Sequence, residues 1–313
     1  MRRSSIITTI LLVIVIVGLV VALVVTNLPE KQEVANPDNN EQVVGEENVG
    51  DKKEEETPTY LTLDSEVVKQ AYKILQLTSD AYYMKGINET TREDLDDKNI
   101  VKAAYMMGAK DMVQETDFMF KNEYSVSGKI PAEEFDKVIK QIYGDIEYEH
   151  TGFGSLVAPI ATYVAEEDMY YICAGYGGGG YFSYDIKGIV KAEEYSDRYE
   201  ITEKYLYIES HDTGNGANYE IRAWHSGLSK SLGRFSENSL EVGNPQLNEL
   251  LADVTVKAIY TGTPTSDSQY EKNIIENNKK ILSKYYDDAT EYKHTFMKNE
   301  DGTFYWYKSE IIK

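Results

Sequence analysis

The chain of 313 residues carries 53 Asp and Glu against 32 Lys and Arg, a formal net charge of −21. Such an acid surplus cannot supply the cations that displace counterions from a phosphate backbone, so nucleic acid is excluded as a partner. The single cysteine, Cys173, excludes an intrachain disulfide and any zinc site built on several thiolates.

The first predicted element follows Met1-Arg2-Arg3. Residues 6–25 hold no charge, and sixteen of the twenty are Ile, Leu or Val. A helix of that length spans about 30 Å, the thickness of the hydrocarbon core. At about −0.3 to −0.6 kcal/mol for each central aliphatic residue, insertion is favoured by several kcal/mol. A cleaved signal peptide would carry an apolar core of only about 7–15 residues. Here Leu23-Val24-Val25 runs on past the weak cleavage site Val20-Val21-Ala22, and no cysteine follows for a lipid anchor. The sequence therefore predicts an uncleaved transmembrane helix over 6–26, with the lipid bilayer as its partner. Arg2 and Arg3 precede the span and acid follows it, which leaves residues 1–5 in the cytoplasm and the C-terminal region outside.

Residues 27–59 read as a disordered acidic linker. Positions 30–57 carry ten acidic and three basic side chains, and no aromatic residue occurs before Tyr60. This segment cannot bury enough apolar surface to offset its ordering entropy, and its own repulsion extends it. With +2 ahead of the span and −7 in the tether, the remaining −16 falls on residues 58–313. The folded part should not approach anionic lipid by attraction.

The rest is predicted to be α+β: a helical segment over 60–146, then a mainly antiparallel, β-rich region over 147–313. The two could form one domain. Asp64 or Ser65 can cap a first helix, whose apolar face runs through Val68, Ala71, Tyr72 and Leu75. A second helix is expected over 98–121 through Val101, Tyr105, Gly108 and Met112. In the third, Pro131 opens the first turn, Glu133 and Glu134 follow, and Gly144 stops a stripe of Phe135, Val138, Ile139 and Ile142. Period two then takes over in Tyr199–Ile208, Tyr219–Trp224 and Thr255–Tyr260. Asn244-Pro245 opens a short helix, a longer one covers 267–284, and Glu291–Lys298 pairs with Thr303–Ile311 across an Asp-Gly turn.

No motif brings chemistry with it. The run Gly175–Tyr181 lacks the Lys and Ser/Thr that a phosphate loop needs, and reads as a loop between strands. Among the four histidines no compact ligand spacing occurs, and His294 reads as a cross-strand packing residue. Glu209-Ser210-His211-Asp212 is the densest set of metal-capable groups. On a strand Glu209 and His211 share a face, with Asp212 at the strand end. These three are the weak candidates for a metal or catalytic role. Cys173 lies in an apolar strand and reads as a buried, inert thiol. All 36 aromatic residues follow position 59 and 26 are Tyr, a count that sheet propensity explains without a ligand.

The arrangement of Met1-Arg2-Arg3, the span at 6–25, the acidic linker and a single cysteine resembles single-pass, membrane-anchored extracytoplasmic proteins of Gram-positive bacteria. The terminal hairpin from Tyr292 to Ile311 is similar to the closing strands of small α+β cone folds. Neither resemblance implies a catalytic residue or a cofactor. The sequence is thus read as a membrane-tethered binding or structural module of the cell envelope, with an envelope protein or glycan as partner. The alternative is a tethered hydrolase with an unrecognised carboxylate and His site.

Overall fold

A computed structural model describes residues 56–82, 89–121, 124–154, 159–173, 184–212, 217–225, 228–236 and 243–313. The chain divides into Met1–Glu54 and Glu55–Lys313, and the described residues all belong to the second unit. The expected transmembrane helix, the linker up to residue 55 and the glycine run lie outside them. Among the described residues no helix is long and apolar enough to cross a membrane.

The described unit is α+β, with five α-helices and two sheets whose strand pairs are antiparallel. Helix α1 (Glu66–Tyr82) begins at Ser65, whose hydroxyl accepts the Val68 N–H at 3.3 Å. Its buried stripe is Val68, Ala71, Ile74 and Leu75. Helix α2 (Asp97–Met107) is capped by Asp96, which accepts the Asn99 N–H at 2.7 Å, and it buries Ile100, Val101, Ala103 and Ala104. Helix α3 (Ala132–Tyr143) keeps Glu133 and Glu134 at its positive end and Lys140 in its last turn, while Phe135, Ile139 and Ile142 face inward. Burying each of these large side chains stabilises the fold by about 1.5–3 kcal/mol.

The helix expected over 98–121 is shorter than its pattern suggested. It stops at Met107 before Gly108, a 3-10 turn occupies Ala109–Met112, and Gln114–Phe120 is a strand. That strand, β3, pairs with β4 (Tyr124–Pro131) at the edge of a five-stranded sheet. The sheet continues through β7 (Met169–Cys173), β6 (Pro159–Val164) and β5 (Phe153–Gly154). It therefore joins residues on both sides of position 146. A Cβ on Gly128 would lie 2.2 Å from Val113 Cγ1, so only glycine lets β4 pass there. The inner face supplies Ile130, Tyr170 and Ile172 to one core, where Phe135 stacks on Tyr170 at 3.9 Å.

The second sheet has eight strands. Its main path is β1 (Thr59–Tyr60), β8 (Tyr184–Glu194), β9 (Arg198–Asp212), β12 (Thr290–Lys298), β13 (Phe304–Ile311) and β2 (Glu89–Thr91). β9 is 15 residues long. β8 pairs with it from Tyr199 to Ile208, while on its other edge β12 holds Arg198–Tyr205 and β10 (Ala217–His225) holds Tyr207–Asp212. β11 (Leu228–Phe235) then pairs with β10. One face of the sheet sends Ile201, Tyr205, Tyr292, Phe296 and Trp306 into the core shared with α1, α2 and α3. The other sends Ile186, Leu206, Ile208 and Ile221 against α4 (Pro245–Leu251) and α5 (Gln269–Lys284).

The alternating stretch Thr255–Tyr260 forms no strand. Only Tyr260 exchanges hydrogen bonds with Ile189, at 2.9 Å each way, and the Lys257 N–H goes to the Ser283 hydroxyl at 3.0 Å. The segment crosses β8 at Gly188, where a Cβ would sit 2.4 Å from Ile259 Cγ2. Packing over α5 and one bridge take the place of a ladder.

Candidate functional site

The alternation of β9 sets Glu209 and His211 on one face, as their spacing predicts. Pairing with β10 brings Glu220 opposite Glu209 and Arg222 opposite Tyr207, and β11 adds Arg234 opposite Glu220. His211 Nε2 lies 3.5 Å from Glu209 Oε2 and 3.3 Å from Glu220 Oε2. Arg222 Nε lies 2.6 Å from Glu209 Oε2 as an ion pair, and Arg222 donates to Glu220 Oε2 through Nε at 3.1 Å and Nη2 at 2.7 Å. Arg234 Nε reaches Glu220 Oε1 at 3.2 Å. The Glu220 side chain is 1% exposed, whereas that of His211 is 45% exposed. The hydroxyl of Ser231, and then the two guanidiniums, hold the Glu220 carboxyl down to about 2.

Glu209, His211 and Glu220 each offer a ligand atom within 4.8 Å of the others, close enough to hold a metal ion. Two carboxylates facing two guanidiniums already sum to zero charge, so a divalent cation would have to displace Arg222 from both acids. The arrangement as it stands is an ion-pair network with one open imidazole. Asp212 ends β9 opposite Ala217, and its side chain lies outside the described atoms.

A second His and Glu pair sits further back on the same face of β9. Trp306 Nε1 donates to Ser309 Oγ at 2.9 Å, Ser309 Oγ stands 2.6 Å from His294 Nδ1, and His294 Nε2 stands 3.2 Å from Glu203 Oε2. With a ring proton on Nε2, Ser309 donates to Nδ1 and His294 donates to Glu203. Serine, histidine and acid in this order are the parts of a nucleophilic relay. Here Glu203 and His294 are 0% exposed and Ser309 is 2% exposed, so no substrate reaches them. The relay links β9, β12 and β13 and fixes their register, which fits the packing role expected of His294.

A third cluster was not marked by the sequence. His150 Nδ1 lies 2.9 Å from the Tyr170 hydroxyl, and its Nε2 lies 3.3 Å from Asp136 Oδ1. The same carboxylate accepts from Tyr148, while Tyr163 stacks on the imidazole at 5.0 Å. Three Tyr rings and Asp136 of α3 surround a half-buried His. Only the Tyr148/His150 spacing hinted at it, because Asp136, Tyr163 and Tyr170 arrive from other elements.

The tyrosines serve mainly as packing. Tyr143, Tyr170, Tyr205 and Tyr292 are among the largest fully buried side chains, and burial raises the pKa of each phenol. Cys173 is buried and its thiol is raised by the same cause.

Two open grooves lie among the described residues. One, of about 680 Å³, lies beside α4 and α5 over Phe235, Leu250 and Val254. The other, of about 760 Å³, lies among α1, α3 and the β12–β13 turn over Met107 and Phe304. No protein-family model, curated protein or solved structure matches the chain.

Proposed function

We propose that this chain is a membrane-tethered binding or structural module of the cell envelope. The span at 6–26 anchors it, the acidic linker holds the folded unit off the bilayer, and the two leading arginines keep the N-terminus in the cytoplasm. One observation carries the reading. Among the described residues, the Ser309, His294 and Glu203 relay is sealed from solvent, Glu220 beside the open His211 is neutralised by two arginines, and His150 is held between Asp136 and the Tyr170 hydroxyl. The open grooves, by contrast, are lined by hydrogen-bonding side chains with no histidine or cysteine among them. Isolated Gram-positive envelopes, incubated with the full chain in lipid nanodiscs, test it. Saturable co-sedimentation without release of soluble fragments is the expected result, and absence of sedimentation overturns the reading.

The convergence of Glu209, His211 and Glu220 favours the second reading, a tethered hydrolase. Release of soluble fragments that is abolished by Glu220→Gln would establish that reading instead. Orientation has its own check: protease added to intact cells should remove the C-terminal region, and its protection would reverse the topology.

A further inference from the structure

We infer that the groove among α1, α3 and the β12–β13 turn is a subsite for an uncharged, hydroxyl-rich glycan, a statement that rests on the binding reading above. At about 760 Å³ the groove has the size of a site for a few sugar rings. Its walls carry Gln70 from α1, Gln141 from α3, and Asn299 and Glu300 from the turn, all exposed. Gln70, Gln141 and Glu300 make no hydrogen bond to another described residue, so their amide and carboxylate groups are available to a ligand. An amide donates and accepts side by side, as a pair of neighbouring sugar hydroxyls requires.

Charge decides against the competing ligand classes. The two lysines on the wall are both engaged: Lys137 Nζ contacts Glu134 at 2.8 Å and Lys140 Nζ contacts Asp145 at 2.7 Å. With Glu300 and Asp301 also present, the lining is net negative, so a phosphate-bearing polymer is repelled. On the floor Phe304, 4% exposed, and Met107 offer apolar contact of the kind the C–H face of a sugar ring takes. The turn wall is held in place: the Thr303 N–H and hydroxyl both donate to Asp301 Oδ1, at 2.9 and 2.6 Å, and Asn299 Nδ2 donates to the Thr303 hydroxyl at 2.9 Å. A wall that does not rearrange spares a ligand the cost of ordering it.

The test is calorimetric titration of the full chain in nanodiscs with the β-1,4-linked tetramer of N-acetylglucosamine, and with inorganic polyphosphate. Saturable binding of the tetramer, weakened tenfold or more in Gln70→Ala/Gln141→Ala and unchanged in Asp253→Asn at the other groove, is the expected result. Failure of the tetramer to bind, binding that the double substitution leaves unchanged, or tighter binding of polyphosphate overturns the inference. Both substitutions replace exposed side chains, and an unchanged melting curve shows that the variant is folded. The envelope assay keeps the two statements apart. If wild type and the double variant sediment equally, the groove is refuted while the module reading stands; if wild type does not sediment, the module reading falls by itself.

Discussion

The two halves of β9 carry the same residue types on the same face and use them in opposite ways. In the first half Glu203 meets His294 beneath the helices, with both side chains 0% exposed and the chain of donors ending in Ser309 and Trp306. In the second half Glu209 and Glu220 meet His211 at an open surface and are balanced by Arg222 and Arg234. The buried Glu203 carboxylate meets the imidazole of His294, whose network pins three strands, whereas near the surface the acids are held by guanidiniums that stay partly hydrated. Residue type alone does not assign a role. The covering layer does.

That contrast can be broken most severely at the sealed end. His294→Ala removes the imidazole from between Glu203 and Ser309 and leaves a cavity among strands, so it should destabilise the unit by about 3 kcal/mol. Urea unfolding followed by the fluorescence of Trp306, which is buried in the same network, measures the loss. A loss below about 1 kcal/mol would show the relay to be dispensable.

Glu220→Gln at the open end should cost roughly 1–3 kcal/mol, because both guanidiniums lose their shared carboxylate. It also carries a pH signature. The folded carboxyl stands at about 2, below its ordinary 4.5, so its contribution is complete above pH 4.5 and is lost as pH falls from there toward 2. Wild type should therefore lose stability between pH 6 and pH 3 more steeply than Glu220→Gln. Equal slopes would mean that the ion pairs do not act on folding.

Smaller effects belong to Glu271 and His211. Glu271 accepts from the N–H and hydroxyl groups of both Thr265 and Ser266, and the Thr265 N–H above all holds its carboxyl down to about 2. Glu271→Gln should speed hydrogen exchange at those two amides, and the wild-type protection should fade over the same fall in pH from 4.5 toward 2. His211→Gln should shift stability by no more than about 0.5 kcal/mol, since its ring is open to water and the charges around it already cancel. A larger loss on thermal unfolding would place His211 with His294 and erase the contrast.

Much of this was legible because it is local. Ser65 and Asn244 announce two helix starts, and the alternation of Tyr199–Ile208 announces β9. The i, i+2 spacing of Glu209 and His211 was sufficient to place them together. The edge strand β3 and its neighbour β4 were hidden, because irregular register between Glu115 and Phe118, and between Val126 and Gly128, breaks the period on which strand reading depends. Thr255–Tyr260 erred the other way: it has the period but lies across β8 at Gly188, with a single bridge there. Glu220, Arg222 and Arg234 could not be foreseen, since their positions follow from ladder register across turns. Glu203, His294 and Ser309 come from three strands, and no spacing signals their meeting.

The edge strand β1 has a mechanical consequence. It is two residues long, pairs only with Glu193 and Glu194 of β8, and is preceded by Glu56, which accepts the Ser196 N–H at 2.6 Å. Any pull along the N-terminal chain loads these few hydrogen bonds one after another, in the manner of a zipper, before it reaches α1, the next element along the chain. Peeling residues 56–61 would free about 20 Å of chain at roughly 3.4 Å per residue. The described unit thus begins in a short edge that can open without breaking the ladder between β8 and β9.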